Sequence, residues 1–376
     1  MQVVISGIGT AVPPHHFEQQ EAGEVAAHFC SATSEQAHML NVLYRMSGVV
    51  TRGSVILDRA DGPLTDRQEF FPPRTPESPN GPTTEARLQR FGEAAGPLAM
   101  SASRQALERS GVASSSVTHL ITVTCSGFVA PGFDFTLINE LPLRPDIART
   151  QVGFMGCHAA LNALRVAKAF VAADPHAIVL VCCVELCSLH YQYGWDPEQI
   201  VANSLFADGS GACIVQAGAE KIENSNGTNL PTPQRTLARL IDSGSMMLPD
   251  SADAMTWRVG DHGFRMTLSS QVPGLLAKHL RNWMTKWLAT NGLTPEEIVT
   301  WAVHPGGPRI LNAFAEAMSI APDALNVSRE IMRTHGNMSS PTVLFVLDRL
   351  RQQLAVGPCV AIGFGPGLVA EATLIQ

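Results

Sequence analysis

Gly153-Phe154-Met155-Gly156-Cys157-His158-Ala159-Ala160 follows a short apolar run and opens a long amphipathic stretch. This pattern predicts a cysteine at the start of a helix, where unpaired N–H groups and the helix dipole stabilise negative charge. Such a position can lower the pKa of a thiol and favour the thiolate. Cys157 is therefore a candidate nucleophile that could attack and hold an acyl group. A buried structural cysteine is an equally good interpretation of this motif alone.

Composition excludes several classes of partner. The 376 residues are 45% hydrophobic and 16% charged, which leaves much of the chain free to form a buried core. The formal net charge is −7 and no basic cluster appears, which argues against nucleic acid. The first residues alternate like a strand, without a secretory pattern, and no run of about 18 apolar residues occurs. We therefore predict a cytoplasmic protein with no membrane span and no metal site, whose eight cysteines are reduced.

Apolar strand patterns alternate with helical patterns, which predicts an α/β fold. The clearest elements of the first part are two strands and one helix, at residues 117–124, 177–184 and 88–110. Those of the second part are one strand and two helices, at residues 237–242, 272–289 and 342–354. Residues 217–235 form the best linker candidate, and residues 61–82 are expected to be a surface excursion. The linker divides the chain into an N-terminal half, residues 1–220, and a C-terminal half, residues 236–376.

Three further motifs lie at the ends of strands or the starts of helices. Trp301-Ala302-Val303-His304-Pro305-Gly306-Gly307-Pro308 ends a strand at a histidine. His335-Gly336-Asn337-Met338-Ser339-Ser340-Pro341 is a turn before a helix, and Gly363-Phe364-Gly365-Pro366-Gly367 joins two strands. Taken singly, the histidine could be structural, Asn337 could be a helix cap, and the glycines could only permit a tight turn.

Together with Leu205-Phe206-Ala207-Asp208-Gly209, these motifs resemble the thiolase superfamily, specifically the type III polyketide synthases, which include the chalcone synthases. The similarity runs over nearly the whole chain in the family's order and approximate spacing. It implies a thiolase fold, with two duplicated α/β halves in an αβαβα layering, and a homodimer. It also implies a catalytic triad of Cys157, His304 and Asn337, with Phe206 as the gate between the CoA tunnel and the cavity.

The resemblance implies a reaction that uses CoA thioesters as substrates and needs no metal or redox cofactor. A Cys157 thiolate, stabilised by a His304 imidazolium, would take the acyl group of an acyl-CoA starter. His304 and Asn337 would then donate hydrogen bonds to the enolate that forms when malonyl-CoA loses carbon dioxide. Repeated additions and an aldol, Claisen or lactone closure would complete the product.

The resemblance also nominates seven gate and cavity positions: Phe206, Met266, Cys125, Ala130, His190, Trp257 and Ser339. Several of them differ from plant chalcone synthases. Ala130 stands where those enzymes have a methionine that reaches into the partner's cavity, Met266 replaces phenylalanine, and Cys125 and His190 replace threonines. Trp257 replaces glycine and is expected to block one lobe, while Ala130 and Cys125 open space. These changes favour a medium or long fatty acyl starter and an alkylresorcinol or alkylpyrone product.

Arg45, Arg52 and Arg309 fall near positions where family members place basic residues around the CoA entrance. They are candidates for binding the CoA phosphates, and solvated surface arginines are the alternative interpretation. Two other functions remain open at this point. One is a ketoacyl-ACP synthase III-like enzyme, which performs a single condensation, and the other is an inactive relative kept as an assembly partner.

Overall fold

The computed structural model describes residues 1–218, 238–353 and 357–376, which form thirteen β-strands and ten α-helices. The strands are β1 (Val3–Ala11), β2 (His16–Glu18), β3 (Thr51–Gly53), β4 (His119–Thr124), β5 (Ala148–Gly153), β6 (Ile178–Leu186), β7 (Asp208–Ala217), β8 (Ala238–Met247), β9 (Met255–Gly260), β10 (Gly263–Leu268), β11 (Thr300–Val303), β12 (Cys359–Gly365) and β13 (Val369–Ile375). The helices are α1 (Gln19–Cys30), α2 (Ser34–Met46), α3 (Thr84–Ser110), α4 (Phe133–Glu140), α5 (Ala159–Ala173), α6 (Pro197–Leu205), α7 (Val272–Thr290), α8 (Pro308–Met318), α9 (Asn326–His335) and α10 (Thr342–Gln352). The predicted α/β class is confirmed.

Nine strands form one mixed sheet in the order β11-β12-β13-β8-β1-β7-β6-β4-β5. β1 pairs with β7 along most of its length, but with β8 only through Val4 opposite Arg239 and Ile5 opposite Ala238. The sheet is therefore two groups of strands joined at a short seam. One group comes from the first part of the chain and the other from the second.

Five layers of helix and sheet stack on one another. α5 contacts β4, β6 and β7 of the first group and β8, β12 and β13 of the second. α10 likewise contacts β1 and β7 on one side and β11 and β12 on the other. These two helices therefore lie between the two groups of strands. α3 covers the outer face of the first group, and α7 and α8 share a core with β11, β12 and β13 of the second, which confirms the predicted αβαβα layering.

The sequence of α5 explains why it can lie between two groups of strands. Ala159, Ala160, Ala163 and Ala167 are all fully buried. Small side chains on several faces let strands approach the helix from both sides, and alanine is the best helix former. The start of α5, where Cys157 lies, is thereby fixed at the centre of the molecule.

Most of the predicted elements are confirmed with small shifts in their ends. The helix predicted at residues 88–110 is α3, which begins earlier because the Thr83 side chain accepts a hydrogen bond from the Ala86 N–H. Residues 117–124 and 177–184 form β4 and β6. In the C-terminal part, the predicted strand and two helices correspond to β8, α7 and α10.

The linker prediction lies almost wholly outside the described residues, since only residues 217 and 218 of the segment 217–235 fall within them. The division into halves at residues 1–220 and 236–376 therefore stays a prediction. The excursion at residues 61–82 has one short 3-10 turn, Leu64–Arg67, and otherwise no helix or strand. None of the helices described is long and apolar enough to cross a membrane.

Candidate active site

Cys157 follows β5 in a 3-10 turn, Gly156–His158, that leads directly into α5. Gly156 has a φ of 76°, and a Cβ there would lie 2.4 Å from Cδ of Pro366. Glycine is needed here for two reasons. The backbone adopts a left-handed conformation, and it lies directly against the loop that follows β12, where a side chain would not fit. Cys157 lies at the start of a helix, as predicted, and it is buried, so the candidate nucleophile is enclosed by the protein.

His304 follows β11, and its backbone N–H donates to the carbonyl of Ile362 in β12. The side chain is 1% exposed, yet neither ring nitrogen has a hydrogen-bond partner in the part of the chain that the structure describes. Gly363 lets β12 pass close to both His158 and His304, because a Cβ there would lie 3.2 Å from Cα of His158 and 3.4 Å from Cβ of His304. Buried polar atoms without partners are rare and are often found at functional sites.

Asn337 lies in the turn between α9 and α10 and is joined to the gate segment through the backbone. Its N–H donates to the carbonyl of Leu205, and its own carbonyl accepts from the N–H of Ala207. This bridge holds Phe206, which lies between those two residues, beside Asn337. The side-chain Oδ1 accepts from the N–H of Ser339 at 2.8 Å, so Nδ2 is the donor that remains for a ligand.

The three residues of the predicted triad meet at one cavity of about 300 Å³. Cys157, His304 and Asn337 line it together with Met266 and other apolar side chains. A second cavity of about 310 Å³ adjoins the first and is also lined by Cys157 and Met266. The sequence motifs, which are far apart in the chain, are therefore brought to one enclosed place.

Burial works against charge on both the cysteine and the histidine. It raises the pKa of the Cys157 thiol to about 11, only partly offset by hydrogen bonds from Ser339 and Asn337. It also lowers the pKa of His304 to about 3, with a smaller contribution from His158. Taken one group at a time, these shifts favour a neutral thiol and a neutral imidazole, and the expected thiolate–imidazolium pair stays a prediction. The start of a short 3-10 turn does not compensate for the loss of water around the sulfur.

Five of the seven predicted gate and cavity residues line the second cavity: Cys125, Phe206, Trp257, Met266 and Ser339. A sixth, His190, lines a larger cavity beyond it. The last, Ala130, lies on the surface beside the exposed Phe128 and Val129, and it lines neither cavity of this chain. Ala130 is therefore not a cavity residue within one chain, and its role at a dimer contact stays a prediction.

The larger cavity contains about 870 Å³ of empty space, part of it open to solvent, and has mostly apolar walls. Phe206, Trp257, Met266 and Cys187 line both this cavity and the second one, so they form the partition between them. Trp257 and Met266 are paired across the hairpin of β9 and β10. The Trp257 Nε1–H donates to the carbonyl of Cys125 at 2.8 Å, which fixes the indole ring.

The three candidate arginines are placed differently. Arg45 and Arg309 are exposed, in the last turn of α2 and the first turn of α8. Those helix ends are neighbours, because a Cβ at Gly48 would lie 3.2 Å from Cγ of Pro308. Their predicted contact with CoA phosphates stays a prediction.

Arg52 does not fit the predicted contact with CoA. It is 4% exposed, its guanidinium donates to the backbone carbonyls of Asn203 and Phe206, and it lies over the ring of Phe17. The prediction that Arg52 binds phosphate at the entrance is therefore wrong, since the side chain turns inward and secures the backbone of the gate residue Phe206.

Glu185 is a site residue that sequence reasoning missed. It is fully buried near the end of β6 and accepts hydrogen bonds from the Ser126 and Ser340 hydroxyls and from the Cys125 N–H. It thereby connects the loop after β4 to the turn that carries Asn337, and burial raises its pKa. The available signal was a single acid in an otherwise continuous apolar run, since a buried acid in a strand needs several donors around it.

Among the residues that the structure describes, no group of three or more His, Cys, Asp or Glu is placed to hold a metal ion. The groups that Cys157, His304 and Asn337 bring to the site are a buried thiol, an imidazole with both nitrogens free for a ligand, and an amide N–H.

Comparisons with known proteins cover almost the whole chain. The family model "Chalcone and stilbene synthases, N-terminal domain" matches residues 2–219, and the corresponding C-terminal domain model matches residues 239–376. The alpha-pyrone synthesis polyketide synthase-like Pks18 of Mycobacterium tuberculosis is 32% identical, over 99% of this chain and 91% of that protein. The 1,3,6,8-tetrahydroxynaphthalene synthase of Streptomyces peucetius is 28% identical, over 99% and 92%.

Solved structures give the same result for the fold. PKS-I from the brown alga Ectocarpus siliculosus superposes with a TM-score of 0.88 at 29% identity, covering 100% of this chain and 98% of that one. The C-terminal type III polyketide synthase domain of Steely1 from Dictyostelium gives 0.85 at 26% identity, covering 100% and 99%. The predicted thiolase fold is confirmed by these neighbours.

Proposed function

The chain belongs to the chalcone and stilbene synthase family, the type III polyketide synthases, and on this basis we propose that it extends a medium or long fatty acyl starter with malonyl units. Acyl-CoA and malonyl-CoA are the proposed substrates, and no metal or redox cofactor takes part. The observation that carries the choice of starter is the largely apolar cavity beside the cavities of Cys157. A long chain attached to Cys157 would find an apolar space there to occupy.

In the first step, Cys157 takes the acyl group from the starter. The thiol gives its proton to neutral His304 as the sulfur attacks the thioester carbonyl, so a new S–C bond forms and the bond to CoA breaks. His304 then returns the proton to the departing CoA thiolate. Because burial disfavours both ions at rest, this proton transfer accompanies the attack instead of preceding it.

In the second step, malonyl-CoA loses carbon dioxide and leaves an enolate. The Asn337 Nδ2–H and one N–H of the His304 ring donate to the enolate oxygen, and each such donor is worth about 2.7–4 kcal/mol of the barrier. The enolate carbon attacks the carbonyl of the Cys157 thioester, the C–S bond breaks, and Cys157 leaves as a thiolate. The thiolate takes up a proton or attacks the extended CoA thioester directly, so the chain can return to Cys157 for the next round. Repetition and ring closure give the proposed alkylresorcinol or alkylpyrone, and the alpha-pyrone synthesis named for the mycobacterial relative supports a pyrone.

The walls of the large cavity favour a linear starter. They include Phe17, Val25, Phe29, Leu64 and Phe71, which form an apolar wall, although Gln199 and Asn203 also line the cavity. Burying one methylene contributes about 0.8 kcal/mol, which corresponds to up to about fourfold in kcat/KM. The gain should continue until the chain fills the cavity.

We expect palmitoyl-CoA to exceed benzoyl-CoA by at least about tenfold in kcat/KM, because only the linear chain uses the apolar cavity. The measurement is product formation by purified protein from malonyl-CoA and a series of starters from hexanoyl-CoA to palmitoyl-CoA, with benzoyl-CoA as the short aromatic comparison. Equal or better turnover of benzoyl-CoA would contradict the long-chain starter. Products that form only when malonyl-ACP replaces malonyl-CoA would instead support a ketoacyl-ACP synthase III-like enzyme.

The proposal includes a homodimer. Phe128, Val129, Phe135 and Met155 are large apolar side chains that are all more than a third exposed, and three of them lie in or just after the loop of Ala130. Contiguous exposed apolar groups mark interaction surfaces. Sedimentation velocity on the purified protein is expected to show a dimer, and a monomer at micromolar concentration would contradict this part of the proposal.

A further inference from the structure

His190 lines the large cavity, yet both of its ring nitrogens are already used. It ends the 3-10 turn Cys187–His190 after β6 and is 4% exposed. Nδ1 accepts from the backbone N–H of Phe264 at 3.1 Å, so the ring proton must be on Nε2. Nε2 is 2.7 Å from the carbonyl of Ser126 and donates to it. Burial lowers the pKa of His190 to about 3, which keeps the ring in this neutral form.

These two hydrogen bonds join segments that are distant in sequence. Ser126 belongs to the loop after β4 that carries Cys125, whereas Phe264 belongs to β10. The His190 ring also stacks on the ring of Phe264, with centroids 4.0 Å apart and an angle of 11°. It meets the Trp257 indole edge to face at 5.7 Å.

His190 and Trp257 donate hydrogen bonds to neighbouring residues of the same loop. The Trp257 Nε1–H donates to the carbonyl of Cys125, and the His190 Nε2–H donates to the next carbonyl, that of Ser126. The hairpin of β9 and β10 is thus attached to this loop in two ways. Trp257 of β9 bonds to the loop directly, and His190 connects the loop to Phe264 of β10. Glu185 holds the other side of the loop through the Cys125 N–H, so the loop itself is a fixed support.

This geometry leaves His190 no polar group to offer to a substrate. Its contribution must come through what it holds in place, and what it holds is the partition between the cavity of Cys157 and the large apolar cavity. Without the ring, the Phe264 N–H and the Ser126 carbonyl would both lose a buried partner, and the hairpin would lose one of its two hydrogen-bonded links to the loop. Gln192 and Gln199 would still donate to the carbonyls of Phe264 and Met266, so the hairpin would stay in place while the Trp257 indole is less firmly fixed.

We propose that His190 is a positioning residue for starter selectivity, which fixes Trp257 so that the passage from Cys157 into the large cavity admits a linear chain and excludes a ring. This role deepens the proposed function and rests on it. Removal of the anchor widens the passage, so the preference for palmitoyl-CoA over benzoyl-CoA falls.

Three substitutions of His190 distinguish the effects of its two hydrogen bonds. His190→Gln keeps a donor for the Ser126 carbonyl, His190→Asn keeps an acceptor for the Phe264 N–H, and His190→Phe keeps the ring stack but neither bond. His119→Phe is the matched control, because His119 stacks on Phe170 at 4.7 Å and lines none of the three cavities. Each variant is assayed for the ratio of kcat/KM between palmitoyl-CoA and benzoyl-CoA.

We expect His190→Phe to lower this ratio by at least about tenfold, with intermediate effects for His190→Gln and His190→Asn and no change for His119→Phe. Decarboxylation of malonyl-CoA alone, which is proposed to depend on His304 and Asn337, identifies a variant that has lost its fold, since such a variant loses both activities. If His190→Phe does not fold, the Gln and Asn variants are judged by the same ratio. The ratio of kcat/KM can be compared between variants whichever starter the unmodified protein prefers. A preference for benzoyl-CoA in the unmodified protein would contradict the long-chain starter, whereas an unchanged ratio in the His190 variants would contradict the role of His190.

A second comparison tests whether His190 acts through Trp257. In a Trp257→Ala background the partition is already open, so adding His190→Phe should change the ratio by less than about twofold. A folded His190→Phe variant with an unchanged ratio would overturn the proposed role. An equally large shift in the Trp257→Ala background would also overturn it, because His190 would then act independently of the indole.

Discussion

Cys157→Ala is expected to reduce polyketide formation by at least about 10³-fold, because no other group can hold the acyl chain at the site. Cys125 and Cys187 line the second cavity beside Cys157, but neither lines the cavity of His304 and Asn337, where the proton acceptor lies. Neither can therefore replace the missing nucleophile. The measurement is product formation from malonyl-CoA and palmitoyl-CoA, followed by mass spectrometry.

A matched control for this prediction is Cys359→Ala, which removes another buried thiol at the start of β12 and should keep activity within about twofold of the unmodified protein. Product formation that persists in Cys157→Ala would exclude this residue as the acyl carrier. A protein with no activity before any substitution would support the inactive assembly partner considered above.

Loss of one enolate donor is the second large effect. Asn337→Asp is expected to slow malonyl-CoA decarboxylation by about 10²–10³-fold, because it removes the Nδ2 donor while keeping an oxygen for the Ser339 N–H. The turn should therefore keep its shape, so that the lost rate reports the replacement of the amide donor by a carboxyl group. His304→Ala should have an effect of similar size, since it removes the ring N–H and the proton acceptor together.

The matched control is Asn312→Ala, which removes an exposed amide that accepts from Arg329 on the surface and should leave decarboxylation unchanged. Decarboxylation by Asn337→Asp within about threefold of the unmodified protein would show that the amide does not stabilise the enolate. The rate is measured as release of carbon dioxide from labelled malonyl-CoA without a starter.

Local sequence signals predicted the placement of the main groups. The glycines at 153 and 156 and the alanine-rich run after Cys157 are features of a strand, a tight turn and a buried helix, and all three were found. Thr294 and Glu297 form the capping box that their spacing indicates, although only a 3-10 turn follows. These features depend on neighbours within a few residues, which is why a single sequence reveals them.

Features that depend on distant neighbours were not predictable in the same way. Arg52 was assigned to the CoA entrance because family members place basic residues near this position, but its guanidinium meets carbonyls about 150 residues further along the chain. His190 is held by Ser126 and Phe264, which are 64 and 74 residues away. No spacing rule connects such positions before the chain is folded.

The charge state of Cys157 also depends on distant neighbours, for a related reason. A cysteine at the start of a helix gains stabilisation of its thiolate, but the same residue loses its hydration when the cavity closes around it. At Cys157 the loss of hydration is the larger effect, as the raised pKa shows. The size of that loss is a property of the packed molecule, because it depends on both halves of the chain surrounding the sulfur.

The most direct test of the account is to identify the residue that carries the acyl group. Purified protein is incubated with palmitoyl-CoA alone, quenched in acid and digested, and its peptides are analysed by mass spectrometry. The account predicts a palmitoyl mass on the peptide that contains Cys157, removed by hydroxylamine and absent in Cys157→Ala. A palmitoyl group on a different cysteine, or product formation with no acylated peptide at Cys157, would contradict it.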